Sequence, residues 1–137
     1  MTAAPHPART ASQALHAAVR RKDKEAWLEL FAADAVVEDP VGPSPFDPEG
    51  RGHRGRDAIS AFWDRAIAPN ESIEFLFDDS FACGDEVAFT GQVRSQHDGQ
   101  VLEAEGVFVY RVDKSGQIVA VRAFWEVERT LRTARPA

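Results

Sequence analysis

The order of the hydrophobic patterns constrains the fold of this chain most, because helical periodicity comes first and strand periodicity follows. Residues 10–22 carry apolar side chains at the i, i+3, i+4, i+7 spacing of an amphipathic helix. Asp23 has the character of an N-cap, and the apolar face around Trp27 predicts a second helix. A third helix is predicted over residues 57–69.

Strand patterns occupy the rest of the chain. A short strand is predicted at residues 35–39, and four long strands at residues 72–83, 86–96, 101–112 and 117–131. Asp98-Gly99 is a strong signal for a tight hairpin turn between two of them. Helices followed by a meander of strands favour the α+β class, and the lack of βαβ alternation argues against a doubly wound sheet.

Length and charge narrow the function classes. The chain has 137 residues, which predicts one domain, here residues 11–132 after a loose tail of residues 1–10. A net charge of −6 argues against a nucleic-acid partner. No apolar run reaches the roughly 20 residues of a membrane span, and the N-terminal segment has no apolar signal region, so a cytoplasmic protein is expected.

Metal and cofactor motifs are not found in the sequence. The four histidines are scattered without zinc-like spacing, and no glycine-rich nucleotide-binding motif occurs. We therefore expect neither a metal nor a cofactor. The long loop at residues 41–56 is rich in proline and glycine, and its basic cluster predicts a solvated rim beside a pocket.

Three segments resemble a known family. They are Val-Glu-Asp-Pro-Val-Gly at residues 37–42, Gly-Arg-Asp-Ala-Ile-Ser-Ala-Phe-Trp at residues 55–63, and Ala-Phe-Trp-Glu at residues 123–126. In this order they are similar to the ketosteroid isomerase (steroid Δ-isomerase)-like and SnoaL-like branch of the NTF2-like superfamily, over residues 12–130. The resemblance implies a cone, in which three N-terminal helices pack in a curved antiparallel sheet around a deep apolar pocket. It also implies a homodimer formed through the outer face of the sheet.

Two residues are candidates for catalysis, one from the resemblance and one from strand alternation. Asp39 matches the aspartate base of ketosteroid isomerases, and an apolar pocket would raise its pKa toward neutrality. The two hydrogen-bond donors of the family fall on Leu15 and Phe108, which cannot donate. Tyr110 shares a strand face with Phe108, so we predict that its hydroxyl enters the pocket. A core tyrosine bonded to the backbone is the alternative. His16 is expected at the surface.

Eight side chains are predicted to line the ligand pocket. They are Leu15, Val41, Phe62, Trp63, Phe89, Phe108, Phe124 and Trp125. A hollow with so many aromatic side chains suits a flat hydrophobic ligand such as a steroid. The predicted function is therefore steroid-like ligand binding with proton transfer through Asp39. A non-catalytic binding protein and another lyase or hydrolase of the same fold are the alternatives.

Overall fold

Three helical segments precede the long strands in the computed structural model, which describes residues 4–137. They are α1 Pro7–Arg20, α2 Lys24–Glu29 and α3 Arg56–Phe62, which continues as a π-helical turn, Trp63–Ile67. Asp23 is confirmed as the N-cap of α2, since its carboxylate accepts the Ala26 N–H at 3.1 Å.

The first helix begins earlier than the sequence pattern predicts. His6 caps α1 by accepting the Ala8 N–H at 3.1 Å, and Pro7 occupies a position at which proline favours helix initiation. Ala8 is fully buried. Residues 7–10 therefore belong to the folded domain and not to the predicted loose tail.

Within residues 4–137, seven strands form one sheet. They are β1 Phe31–Glu38, β2 His53–Arg54, β3 Ser72–Cys83, β4 Glu86–His97, β5 Gln100–Val112, β6 Ile118–Phe124 and β7 Arg135–Pro136. The order is β2-β1-β6-β5-β4-β3, with β7 also paired to β5. The antiparallel meander from β3 to β6 is confirmed, but β1 pairs with β6 in parallel, so the sheet is mixed and not wholly antiparallel. Residue patterns identify strands but do not fix the direction of a distant partner, which explains this error.

The end of the chain departs from the predicted strand at residues 117–131. The strand β6 stops at Phe124, and a short helix, α4 Val127–Leu131, follows it. A five-residue helix is too short to show helical periodicity in the sequence.

The helices cover the inner face of a curved sheet. Along β5, Phe108 and Tyr110 point to the same face and are buried. Val107, which points to the opposite face, is 38% exposed. The helices therefore cover one face of the strand, and the other face is exposed. The register of β3 and β4 shifts opposite Gly91, whose φ is +137°. A Cβ at this glycine would lie 2.4 Å from the Leu76 carbonyl oxygen, so only glycine allows the close approach that bends the strands here.

Candidate functional site

A cavity of about 560 Å³ lies between the helices and the inner face of the sheet. Its wall is mostly apolar and includes Leu15, Val19, Trp27, Phe31, Val37, Phe46, Phe62, Ile73, Phe75, Val93, Phe108, Val121 and Trp125. The volume is within the range of about 300–1,000 Å³ that is typical of small-molecule pockets.

Asp39 lies at the wall of this cavity, just beyond the end of β1. The parallel pairing of β1 with β6 brings the residues that follow both strands together. Trp125 Nε1 consequently donates a hydrogen bond to Asp39 Oδ1 at 2.6 Å. Asp39 is the single carboxylate among the lining residues within the part of the chain that the structure describes.

The environment of Asp39 favours its neutral form. Burial raises the pKa of the carboxyl group, and the hydrogen bond from Trp125 lowers it in part, because that bond stabilises the charged form. Glu38 lies on the opposite strand face, where it pairs with Arg122 Nε at 3.1 Å. The site thus holds one carboxyl group whose pKa is raised above the usual range of an aspartate, which favours its use as a proton acceptor and donor.

Tyr110 also lines the cavity, and it forms an unforeseen pair with His16. The Tyr110 hydroxyl lies 2.8 Å from His16 Nε2, and both residues are buried. The prediction that His16 lies at the surface is therefore wrong. The helical wheel of α1 missed this contact because β3 wraps around that side of the helix, where Phe75 stacks on the imidazole at 4.3 Å.

Burial sets the protonation of both partners. It lowers the pKa of His16 to about 3, with the nearby Arg20 charge as a smaller cause. It also raises the pKa of Tyr110, and the Asp39 charge adds to that effect. Both groups are therefore neutral at ordinary pH, and Asp39 is close enough to Tyr110 to act on it electrostatically.

The structure brings six of the ten predicted site residues to the cavity wall. These are Leu15, Asp39, Phe62, Phe108, Tyr110 and Trp125. Four others lie outside it. Trp63 and Phe89 are buried behind the wall, against Trp27 and Tyr110 respectively. Val41 belongs to the loop after β1, where its N–H bonds the Ala123 carbonyl.

Phe124 is the clearest correction among the predicted ligand contacts. It is 43% exposed on the outer face of the sheet, with the Arg122 guanidinium 5.3 Å from its ring centre. Strand alternation explains the difference, because the buried Ala123 occupies the inward position.

Sequence reasoning left several wall residues unassigned. Trp27 and Phe31 come from the segment around α2 and were interpreted as helix packing, whereas β1 begins at Phe31. Phe46 and Val93 also line the cavity. Within residues 4–137, no three His, Cys, Asp or Glu side chains lie close enough to hold a metal ion. The same residues include no helix with the length and apolar character to cross a membrane.

Comparisons with known proteins agree with this geometry. Residues 12–121 match the family model described as the SnoaL-like domain. The steroid Delta-isomerase of Nocardioides simplex is 34% identical over 96 residues, which cover 70% of this chain and 71% of the relative.

Two solved structures are similar over nearly the whole chain. One is RV0760c from Mycobacterium tuberculosis in complex with estradiol-17beta-hemisuccinate, with a TM-score of 0.84 and 38% identity, covering 90% of this chain and 97% of that one. The other is the Delta 5-3-ketosteroid isomerase from Mycobacterium sp., with a TM-score of 0.85 and 36% identity, covering 90% of this chain and 96% of that one.

Proposed function

This chain belongs to the SnoaL-like family of NTF2-like proteins, and we propose that it binds a steroid-like molecule and isomerises a double bond in it. The proton transfer runs through Asp39. The observation that carries this proposal is the Asp39 carboxyl group at the wall of an apolar cavity, where it accepts a hydrogen bond from Trp125 at 2.6 Å and is the one carboxyl group in the lining among residues 4–137.

The cavity supports the choice of ligand class. Its wall is aromatic and aliphatic, and its volume of about 560 Å³ leaves room for a fused-ring hydrocarbon skeleton. Related proteins of 36–38% identity include one solved with a steroid ester and one described as a ketosteroid isomerase. A flat hydrophobic ketone is therefore the best candidate for the occupant.

The chemistry requires one base and one donor. Ionised Asp39 takes a proton from the carbon between the carbonyl group and the double bond, which leaves an enolate. The double bond moves into conjugation as Asp39 returns the proton at the far end of the former double bond. No electrons are lost or gained overall, so the reaction needs no oxidant or cofactor.

Tyr110 is the candidate donor to the enolate oxygen. Leu15 and Phe108, which stand at the donor positions expected from the resemblance, line the cavity but carry no hydrogen-bonding group. The Trp125 indole already donates to Asp39. Ser95 and Thr130 also bring hydroxyl groups to the lining, but Tyr110 lies on the same strand face as Phe108, next to a position where a donor is expected. We therefore assign to Tyr110 the O–H that stabilises negative charge on the ligand oxygen.

A non-catalytic binding protein is the second candidate function. The observation that favours it is the apolar character of Leu15 and Phe108, because one missing donor costs an enzyme of this type about a hundredfold or more in rate. A hydrolase with two inward acids is less well supported, since no second carboxylate lines the cavity within residues 4–137.

The test uses a β,γ-unsaturated 3-ketosteroid and follows the absorbance of the conjugated enone. Asp39→Asn is expected to lower turnover by about 10²–10⁴-fold. The exposed Asp34→Asn is the matched control, and its turnover should equal that of the unmodified protein. Quenching of tryptophan fluorescence without turnover would support the binding protein instead. A protein that shows no steroid binding and no turnover would contradict the proposal.

A further inference from the structure

Tyr110, which lines the cavity, has a buried partner whose role the proposed reaction does not explain. His16 lies behind Tyr110, with Nε2 2.8 Å from the hydroxyl oxygen, and it is absent from the cavity wall itself. It is also the most buried histidine, 4% exposed, and it sits within an aromatic cage of Phe75, Phe77 and Phe89. A polar ring in such a position requires a reason beyond packing.

We infer that His16 is a positioning residue, whose Nε2–H donates to Tyr110 Oη and thereby directs the Tyr110 O–H toward the ligand oxygen in the cavity. This inference rests on the proposed function, and it names the group that orients the donor. His16 itself touches no ligand, because Tyr110 stands between it and the cavity.

Two arrangements of protons are compatible with the 2.8 Å contact. In the first, Tyr110 donates to Nε2, the imidazole carries its proton on Nδ1, and no tyrosine proton remains for a ligand. In the second, Nε2–H donates to the hydroxyl oxygen, and the O–H is free to point elsewhere. Both groups are neutral at ordinary pH, so no third arrangement competes.

The surroundings of the imidazole favour the second arrangement. Nδ1 of His16 has no hydrogen-bond partner among the described residues. The first arrangement would therefore leave an N–H without a protein acceptor on an imidazole that stacks on Phe75, with 4.3 Å between the two ring centres. In folded proteins an N–H without an acceptor is rarer than an acceptor with an unused lone pair.

The His16–Tyr110 pair also compensates for the two hydrogen-bond donors that the family resemblance leads one to expect and that this chain lacks. Leu15 immediately precedes His16 on α1, and Phe108 lies two residues before Tyr110 on the same face of β5. The two polar residues are therefore adjacent to the two positions at which donors are missing. The Asp39 charge raises the pKa of Tyr110, which places base and donor within electrostatic range of each other.

The first measurement determines the tautomer without any ligand. Nitrogen-15 NMR of the full chain distinguishes a protonated from an unprotonated imidazole nitrogen, and His16→Gln identifies the resonances of His16 among the four histidines. We expect a neutral ring with its proton on Nε2. A ring protonated on Nδ1 would overturn the inference, even if the protein isomerises steroids.

The second measurement uses a conjugated 3-ketosteroid and records the infrared C=O stretching frequency of the bound molecule. A hydrogen bond from Tyr110 lowers this frequency, and we expect His16→Met to remove most of that decrease. His16→Gln, which retains an N–H donor, should restore it. The exposed Gln13→Met on the same helix is the control and should leave the frequency unchanged.

Turnover separates the inference from the proposed function. Tyr110→Phe should lower kcat by about a hundredfold, and His16→Met by a smaller factor with KM nearly unchanged. If the unmodified protein converts the steroid and His16→Met does so equally well, the inference fails alone. If the unmodified protein neither binds nor converts it, the proposed function fails, and the tautomer still decides the orientation of Tyr110.

Discussion

Trp125 Nε1 and Asp39 Oδ1 are 2.6 Å apart, and this hydrogen bond joins the ends of two parallel neighbours, β1 and β6. The bond opposes the effect of burial on Asp39, because it stabilises the carboxylate that burial destabilises. The balance of the two determines the pH range in which Asp39 can accept a proton.

Replacement of Trp125 by phenylalanine should raise the pKa of Asp39 further. Because the base must be ionised, the acidic limb of the kcat/KM profile should move to higher pH. The measurement is the pH dependence of steroid isomerisation. Trp63→Phe, at a tryptophan outside the cavity wall, is the control and should leave the limb in place. A limb that stays or moves to lower pH in Trp125→Phe would contradict this account.

Asp39→Asn should stabilise the folded protein near neutral pH. Burial raises the folded-state pKa of Asp39 above its ordinary value of 3.8, so the folded state holds this proton more tightly than the unfolded state. Stability therefore falls as pH rises from 3.8 through the folded-state value, and the ionised group remains a cost above it. Urea unfolding should show a stability gain for Asn that shrinks on acidification. If Asp39→Asn instead lowers the free energy of unfolding at neutral pH, burial is not the dominant effect on this carboxyl group.

The sequence was sufficient to predict most of the fold. The helical stripes, the hairpin signals and the position of Asp39 before Pro40 are local patterns, and the structure contains the predicted helices and meander. The parallel pairing of β1 with β6 was missed, since it joins segments about 80 residues apart, as in the pair Glu38–Arg122. The periodicity of neighbouring residues cannot reveal a pairing between strands so far apart in the chain.

The site was harder to predict for the same reason. Asp39 and Tyr110 were found through a motif and through strand alternation. The partner of Tyr110 was not, because the helical wheel of α1 places His16 off the apolar stripe, whereas β3 supplies Phe75 on that side. Phe124 was misplaced because two adjacent strand residues, Ala123 and Phe124, face opposite ways and the more hydrophobic one faces out.

The outward Phe124 leads to a prediction about self-association. It pairs in register with Val107 on β5, and the two side chains are 43% and 38% exposed on the outer face. We predict that two copies associate through this face, as expected from the family resemblance. Light scattering after size exclusion should show a dimer, and Phe124→Asp should shift it toward monomer.

The exposed Phe81→Asp on the edge strand β3 is the matched control for this prediction. It changes the same residue type and the same charge, and it should leave the dimer intact. A monomeric unmodified protein, or a Phe124→Asp variant that dimerises normally, would contradict an interface at Phe124.

Burial of His16 should make the folded protein sensitive to mild acid. Burial lowers the folded-state pKa of His16 to about 3 from its ordinary value of 6.5, so the unfolded state binds more protons between these values. Stability is complete above 6.5 and should fall with decreasing pH by up to about 1.4 kcal/mol per pH unit from this group alone. The loss should level off near pH 3.

His16→Gln should remove this part of the acid sensitivity, since glutamine does not titrate. Urea unfolding of both proteins at a series of pH values should give stability curves that diverge on acidification, with the glutamine variant less affected. His53, whose pKa is also lowered by burial, contributes equally to both proteins and cancels in the difference. Parallel curves would mean that His16 titrates normally in the folded state. In that case His16 would become positively charged below about pH 6.5, and its neutral pair with Tyr110 would not persist there.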